Sequence, residues 1–288
     1  MNKQIIAAVI LAAAFSQASH ADRLKDTLKD LLNSTKPAQQ APQAEPSNAQ
    51  AGQQEFKISP LGKVSQEDEV RLGRQIAGNL LGAAPLVKDP KLQQYVNRVG
   101  RWVALHSDRP DLKWTFGVIE SNDLNAFAAP GGYVFVTRGL YMKLKDEGEL
   151  AGVLGHEIAH VQQKHHLKVV QKSQLVEIGA SILKKKLAKG ESAVQKVIGS
   201  GAEIMARGLD KDAEFEADRL GVVLAARAGY DAWGLPSVLQ EISAVSPGDS
   251  SVGLLFKTHP HPDERLARLG DAMGERLDSL KDSGNAKG

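Results

Sequence analysis

The segment His156-Glu157-Ile158-Ala159-His160 constrains the fold of this chain more than any other feature. Histidines four positions apart on an α-helix share one face, about 40° apart around the axis and one turn apart along it. Two such imidazoles can bind one metal ion, so the pattern predicts a helix at this point. Glu157 points about 100° away from His156, close enough to hold a water on the metal without ligating it.

The pattern H-E-x-x-H is typical of zinc metallopeptidases. The alternative is an ordinary helix with two surface histidines and a solvated glutamate. The chain contains no cysteine, which excludes a disulfide scaffold, a thiolate zinc site and a cysteine nucleophile. Its formal net charge of +2 over 288 residues provides no strong basic field, so we expect no nucleic-acid partner.

The N-terminus has the three parts of a cleavable secretory signal peptide. Lys3 supplies the positive charge and Ile5–Phe15 is apolar. Ser19-His20-Ala21 ends the region, with the small residues Ser19 and Ala21 at the cleavage-determining positions. The apolar run is shorter than the roughly 20 residues that span a bilayer. We therefore expect residues 1–21 to be removed, leaving an exported periplasmic chain without a transmembrane segment.

Residues 22–55 differ in composition from the rest of the chain. Residues 22–34 carry leucines at helical spacing, which fits either a short amphipathic helix that contacts a partner or membrane surface, or a frayed leader. Residues 36–54 are rich in proline, glutamine and alanine and predict a disordered linker. We expect the folded domain over residues 56–280 and a disordered tail over 281–288.

Hydrophobic periodicity and capping residues predict a mainly helical α+β domain with a small sheet beside the motif helix. The predicted helices span 66–81, capped by Ser65, then 90–106, 149–171, 212–228 and 262–280. The predicted strands span 114–119, 124–128 and 133–137, with Pro130-Gly131-Gly132 as the turn before the last strand.

A catalytic zinc site needs three protein ligands and one open position for water. His166 stands where the third histidine falls in the longer motif H-E-x-x-H-x-x-G-x-x-H, but Gln163 replaces the glycine that turns the chain there. On an unbroken helix His166 lies about 240° around the axis from His160. We therefore interpret His165 and His166 as a polar helix end.

A carboxylate from a second helix is the better candidate for the third ligand. Glu214 and Asp218 lie one turn apart on the predicted downstream helix and share a face. One of them can bind the metal, while the other accepts a hydrogen bond from the far nitrogen of a ligand histidine.

Four stretches together resemble the HtpX-like zinc metallopeptidases, a family that also includes the CAAX prenyl endopeptidases. The stretches are Asn125-Ala126-Phe127-Ala128 with Pro130-Gly131-Gly132-Tyr133-Val134-Phe135-Val136-Thr137-Arg138-Gly139, then His156–His160, then Glu214-Phe215-Glu216-Ala217-Asp218, and Thr258-His259-Pro260 with Arg265. The likeness extends from about Ser65 to Asp271 and implies a zincin-type metallopeptidase domain. Because the sequence has no transmembrane helices like those of the HtpX and prenyl-protease branches, we expect the small, soluble, exported type.

The resemblance implies that His156, His160 and Glu214 are the ligands of one zinc ion per chain. It favours Glu214 over Glu216, and it implies that Glu157 is the catalytic carboxylate. Asp218 is then the outer partner of a ligand histidine. We expect peptide hydrolysis in which zinc-bound water is the nucleophile and Glu157 is the general base.

His259 is the candidate for a second electrophile at the oxyanion, because its counterparts in the family lie near the metal. It could instead occupy the open metal position in a resting state, or be an ordinary loop histidine before a proline. Arg265 either orients the carboxylates of the site or pairs with Asp263.

The strand at Tyr133–Val136 is expected to offer an unpaired edge to the substrate backbone, with Gly132, Tyr133 and Val134 as binding residues. Asn125 either hydrogen-bonds to that backbone or has a turn role before the strand. Recognition of main-chain groups predicts broad specificity for unfolded or flexible segments.

Two functional hypotheses follow from the sequence. The first is an exported zinc endopeptidase that acts on unfolded or misfolded envelope proteins, in protein quality control and near the envelope assembly machinery. The second is a periplasmic chaperone-like binding protein with a self-blocked or structural zinc site. The presence of Glu157 argues against a purely structural site, since metal binding does not need it.

Overall fold

The computed structural model describes Ser59, residues 61–175 and residues 209–284. The predicted signal peptide and the segment over 22–55 lie outside these residues, so both stay predictions. The helices are α1 (Gln66–Ala83), α2 (Pro90–Ala104), α3 (Arg138–Tyr141), α4 (Glu147–Gln162), α5 (described over residues 165–175), α6 (Lys211–Arg227), α7 (Gly234–Ser243), α8 (Leu255–Thr258) and α9 (Pro262–Gly284), with a 3₁₀ turn at Ser250–Val252. The strands are β1 (Thr115–Ile119), β2 (Ala126–Ala129) and β3 (Tyr133–Thr137).

Polar capping residues set where most of these helices begin. The Ser65 side chain accepts a hydrogen bond from the backbone N–H of Asp68, as the sequence predicted. The side chains of Asp89, Asp146 and Asp210 accept equivalent bonds at the starts of α2, α4 and α6. Helix α7 has no side-chain cap and was not predicted, while α9 continues to Gly284, beyond its predicted end.

The three strands form one mixed sheet in the order β1-β3-β2. Strand β3 pairs in parallel with β1 and antiparallel with β2. The prediction that Tyr133–Val136 forms an unpaired edge is therefore wrong: β3 is the central strand, and the backbones of Tyr133 and Val134 are flanked on both sides. The sequence predicts the turn between β2 and β3 but not the side on which β1 joins them.

The outer side of β1 is covered by polar side chains of α2. The Gln93 side chain donates to the carbonyl of Val118 at 2.9 Å and accepts from its N–H at 2.9 Å. Asn97 accepts from the N–H of Phe116 at 3.1 Å. These bonds occupy the backbone groups of β1 that an added strand would use. The other edge of the sheet is β2.

Both faces of the sheet are buried, which explains why its strands carry apolar residues on both sides. Ala126, Ala128, Val134 and Val136 face the main core with α2 and α4. Phe127, Ala129 and Phe135 face a second core formed with α1 and with Leu167 and Val170 of α5. The motif helix α4 lies inside the main core, with every residue from Glu149 to Val161 buried.

Helices α4 and α6 cross at two glycines. A Cβ atom built on Gly155 would lie 2.7 Å from the carbonyl oxygen of Gly221, and one built on Gly221 would lie 2.6 Å from the backbone nitrogen of His156. Contacts this short leave room for hydrogen only. The missing side chains let the two backbones approach closely enough for side chains of both helices to meet.

The motif helix ends at Gln162, so the prediction of a helix through Gln171 is wrong. Lys164 adopts a left-handed φ of 59°, and the chain is helical again from residue 165. The buried carboxylate of Glu69 stabilises this break, because its Oε2 lies 3.3 Å from Lys164 Nζ and it accepts bonds of 2.6 and 3.0 Å from Arg109. Arg109 also donates to the carbonyl of Val161 at 3.2 Å.

In the part of the chain that the structure describes, no helix combines the length and the apolar character that a membrane crossing requires.

We predict that Gly221→Ala lowers the free energy of unfolding by about 1–3 kcal/mol, because the new methyl group meets backbone atoms that no rotamer change can clear. Gly78→Ala is the matched control: Gly78 lies in α1 with open space around its Cβ position. The control should be neutral or stabilising, because alanine favours a helix over glycine. Chemical denaturation measures both, and equal stability of the two variants would contradict the close crossing.

Candidate metal centre

Helix α4 places His156 and His160 one turn apart on one face, as their spacing predicted. Their Nε2 atoms lie 2.9 Å apart, and both side chains are buried. Two ring nitrogens directed at one point are suited to a shared metal ion.

Glu214 in the first turn of α6 faces these nitrogens across the α4–α6 crossing. Its Oε2 lies 3.6 Å from His156 Nε2, and its Oε1 lies 3.6 Å from His160 Nε2. Its side chain has no exposed surface, and Oε1 has no hydrogen-bond partner among the described residues. An orphaned, buried carboxylate oxygen is costly, so a metal ion fits the residues present here.

His259, which follows α8, joins the group from a third element. Its Nδ1 lies 2.7 Å from Glu214 Oε2, and one ligand atom from each of His156, His160, Glu214 and His259 lies within 4.8 Å of the others. Burial alone would raise the pKa of Glu214, but His259 and His156 nearby lower it to about 2. Glu214 is therefore ionised, the form in which a carboxylate binds metal.

Glu157 is buried beside the four-residue group, with 2% of its surface exposed. Burial raises the pKa of its carboxyl group, and the nearby His156 and His259 oppose that shift. A raised pKa brings a carboxyl group closer to the range in which it can exchange protons near neutral pH.

Asp218 and Arg265 support His156 from behind. The Asp218 Oδ1 atom lies 2.9 Å from Nδ1 of His156, and Arg265 donates to both carboxylate oxygens of Asp218, at 2.8 and 2.5 Å. Burial would raise the pKa of Asp218, but Arg265 lowers it well below its usual range. Of the two alternatives for Arg265, the structure has the one in which it orients a carboxylate of the site rather than pairing with Asp263.

The structure places His165 and His166 differently from the sequence interpretation. Both are buried, so the description as a polar helix end is wrong. His165 Nδ1 lies 2.9 Å from His160 Nδ1, and its Nε2 lies 3.2 Å from Glu216 Oε2. Burial lowers the pKa of His165 and lowers that of His166 to about 4, so both rings are neutral at pH 7.

Sequence reasoning missed His165 because it assumed an unbroken helix. Neither glycine nor proline marks the break at Gln163–Lys164. The signal lies in Glu69 and Arg109, which are far away in sequence. Their partly buried ion pair contacts the chain at the break only in the folded domain.

The four residues expected to bind substrate lie in the sheet or directly beside it. Gly132 (φ 98°) belongs to the turn before β3, and Tyr133 and Val134 begin that central strand. Asn125 precedes β2 and is fully buried; its Oδ1 accepts from the N–H of Ala126 at 3.0 Å, and its Nδ2 has no partner among the described residues. Within the described part of the chain, no hydrogen bond or ion pair joins these four to the candidate metal ligands His156, His160, Glu214 and His259.

An α+β domain with a histidine pair on a buried helix and a carboxylate on the next packed helix has the architecture of a zincin-type metallopeptidase domain. The sequence model of Peptidase family M48 matches residues 90–273, and the chain belongs to this family. The finer resemblance to the HtpX-like and CAAX branch stays a prediction.

The chain is similar to the Beta-barrel assembly-enhancing protease of Escherichia coli (strain K12), with 31% identity over 207 residues, which are 69% of this chain and 42% of the relative. The protein of that name from Yersinia pestis is 31% identical over 213 residues, 71% of this chain and 43% of the relative. The Mitochondrial metalloendopeptidase OMA1 of Schizosaccharomyces pombe is 29% identical over 182 residues, 63% of this chain and 53% of the relative. The chain thus spans less than half the length of these bacterial relatives.

We predict that Arg265→Leu costs about 3–5 kcal/mol of unfolding free energy, because it leaves the Asp218 carboxylate buried without its cation. The matched control is Lys211→Leu, which removes an exposed ion pair with Glu264 whose side chains are 63% and 41% accessible. The control should change little.

Both variants should be measured by denaturation with a chelator present, so that metal binding does not add to stability. Similar losses in the two variants would show that Asp218 does not depend on Arg265.

Proposed function

We propose that this chain is an exported zinc endopeptidase that hydrolyses peptide bonds in unfolded or misfolded envelope proteins. One observation carries the proposal: Glu157, a buried carboxyl group with a raised pKa, lies beside a group of three histidines and one carboxylate that can hold a metal ion. A structural metal site has no need of such a carboxyl group.

His156, His160 and Glu214 would hold the metal, and imidazole with carboxylate ligands favours zinc. When bound, a zinc ion would act as a Lewis acid that lowers the pKa of water and polarises a carbonyl group. Asp218 fixes the ring of His156, and Arg265 is a positioning residue because it acts through Asp218.

Glu157 acts as general base and then as general acid. Its carboxylate takes the proton of the attacking water and delivers that proton to the nitrogen of the leaving amine. Burial favours the neutral, proton-carrying form between these two transfers.

His259 is proposed to block the site in a resting state. A ligand atom of its ring lies within 4.8 Å of those of His156, His160 and Glu214, so the ring would take the fourth position of a bound metal, which would otherwise be open to water. When it moves away, the same ring can donate to the oxyanion of the substrate. This observation also favours the second candidate function, a chaperone-like binding protein whose zinc site is self-blocked.

The proposed substrate edge is β2 rather than β3. The N–H of Thr137 donates to the carbonyl of Asn125 at 3.0 Å, so in the antiparallel register the N–H and C=O of Ala128 point away from β3. Neither group has a partner among the described residues, and β2 packs against α4. Since β2 is buried, an extended peptide reaches this edge only when the residues covering it move aside. The Nδ2 of Asn125 is a further donor for such a backbone.

The envelope as place of action rests on the predicted signal peptide and on the bacterial relatives, whose name refers to β-barrel assembly. Main-chain pairing would select unfolded or flexible segments. Residues 22–34 are proposed to contact a membrane surface or the envelope assembly machinery.

We predict that Glu157→Gln lowers the rate of cleavage of an unfolded protein by about 10²–10⁴-fold, because it removes the proton-transfer group. Its zinc content should equal that of the wild type. Loss of zinc from this variant would mean that Glu157 acts on metal binding instead.

The companion variant His259→Ala separates the two candidate functions. The test applies when the wild type binds zinc but does not cleave. Recovered cleavage by His259→Ala would then show a self-blocked protease, while a zinc-loaded variant that still does not cleave would favour the binding protein. Removing zinc with a chelator and restoring it should abolish and then recover cleavage in each active form.

We predict that N-methylation of single substrate residues slows cleavage with a period of two residues. Only alternate amides of an extended peptide face β2, and losing one such hydrogen bond costs about tenfold in kcat/KM. A set of peptides with the methyl group moved one residue at a time measures this, and uniform sensitivity would exclude strand pairing.

A further inference from the structure

The two histidines of α4 have different partners at their far nitrogens. Nδ1 of His156 faces the carboxylate of Asp218 at 2.9 Å, whereas Nδ1 of His160 faces another imidazole, that of His165, at 2.9 Å. The second ring nitrogen of His165 faces Glu216 at 3.2 Å. The side chains of His160, His165 and Glu216 therefore form a continuous chain from the metal-binding group to a residue that is 40% exposed.

Proton positions in this chain follow from the ligand role of His160. Its Nε2 lies 3.6 Å from Glu214 Oε1 and faces the metal position, so its proton must be on Nδ1 when Nε2 binds a metal. A proton on Nδ1 of His160 requires an acceptor, and Nδ1 of His165 can accept only if the proton of His165 is on Nε2. That proton then points at the carboxylate of Glu216, which accepts it.

The break after α4 creates this geometry. On a continuous helix, His165 would lie about 140° around the axis from His160, and the rings could not face each other. The left-handed Lys164 (φ 59°) turns the chain back, and the partly buried pair of Arg109 and Glu69 stabilises the turned segment.

We propose that His165 is a positioning residue of the metal centre, which accepts a hydrogen bond from His160 and donates one to Glu216, and so fixes the tautomer and the ring orientation of a metal ligand. This inference rests on the proposed function only in taking His160 as a ligand. His165 itself is not a ligand, because it contacts the nitrogen of His160 that points away from the metal position.

His166 provides the matched comparison. It is buried beside the same ligand, with its ring centroid 5.7 Å from that of His160, but its Nδ1 has no hydrogen-bond partner among the described residues. A histidine-to-leucine change at either position removes a buried ring next to His160, but only the change at His165 removes a hydrogen bond to it.

The test is the zinc affinity of His165→Leu, His165→Asn and His166→Leu, measured by competition with a chelator on the full chain. Loss of an outer partner of a ligand histidine weakens metal binding by about 10–100-fold, and we expect this for His165→Leu. His165→Asn should recover most of the affinity, because its amide oxygen can accept from Nδ1–H of His160, and His166→Leu should remain near the wild type. The visible spectrum of the cobalt-substituted protein should change only in His165→Leu.

If the wild type binds zinc, three results would overturn the inference: unchanged zinc affinity in His165→Leu, equal weakening in His166→Leu, or no recovery in His165→Asn. Should His165→Leu not fold, Glu216→Leu and Glu216→Gln give the same test at a half-exposed position, where only the leucine should weaken zinc binding.

A wild type that binds no zinc would overturn both proposals. A wild type that binds zinc and cleaves, with His165→Leu indistinguishable from it, would overturn this inference alone.

Discussion

The carboxylate of Glu214 sits at the contact of α4 and α6 with no exposed surface and with three imidazoles around it. An ionised group in such a place is stable only when opposite charge or hydrogen bonds replace the water it has lost. His259 satisfies one of its oxygens, and the other has no partner among the described residues. The glycine contact between α4 and α6 and the position of α8 place this charge among the imidazoles. The proposed metal would neutralise it.

The histidine pair has the same requirement, that a buried polar group needs partners in place of water. Each ring has a partner at the nitrogen that faces away from the group: Asp218 for His156 and His165 for His160. Asp218 is in turn paired with Arg265 from α9, so an element at the end of the described chain supports a candidate ligand on α4. Groups held in this way keep their orientation without a metal present, which reduces the reorganisation that metal binding requires.

Much of the architecture could be predicted from local sequence. Ser65, Asp68 and Pro90 lie in cap and first-turn positions whose hydrogen bonds involve neighbouring residues only, so the starts of α1 and α2 were predicted correctly. The sheet was predicted strand by strand, but the order β1-β3-β2 was not. Strand order depends on contacts between distant segments, and nothing in Tyr133–Thr137 alone distinguishes a central strand from an edge.

The sequence by itself determined the composition of the candidate site: a histidine pair at helical spacing, a neighbouring glutamate, and carboxylates one turn apart on a later helix. These features are periodic along one chain segment, and the period of an α-helix fixes which side chains share a face. Only the tertiary structure decided that His259 joins the group and that His165 contacts His160. Both depend on where the chain turns, and the turn at Lys164 is stabilised by Glu69, a residue almost a hundred positions away in sequence, through a buried charge that exists only in the folded domain.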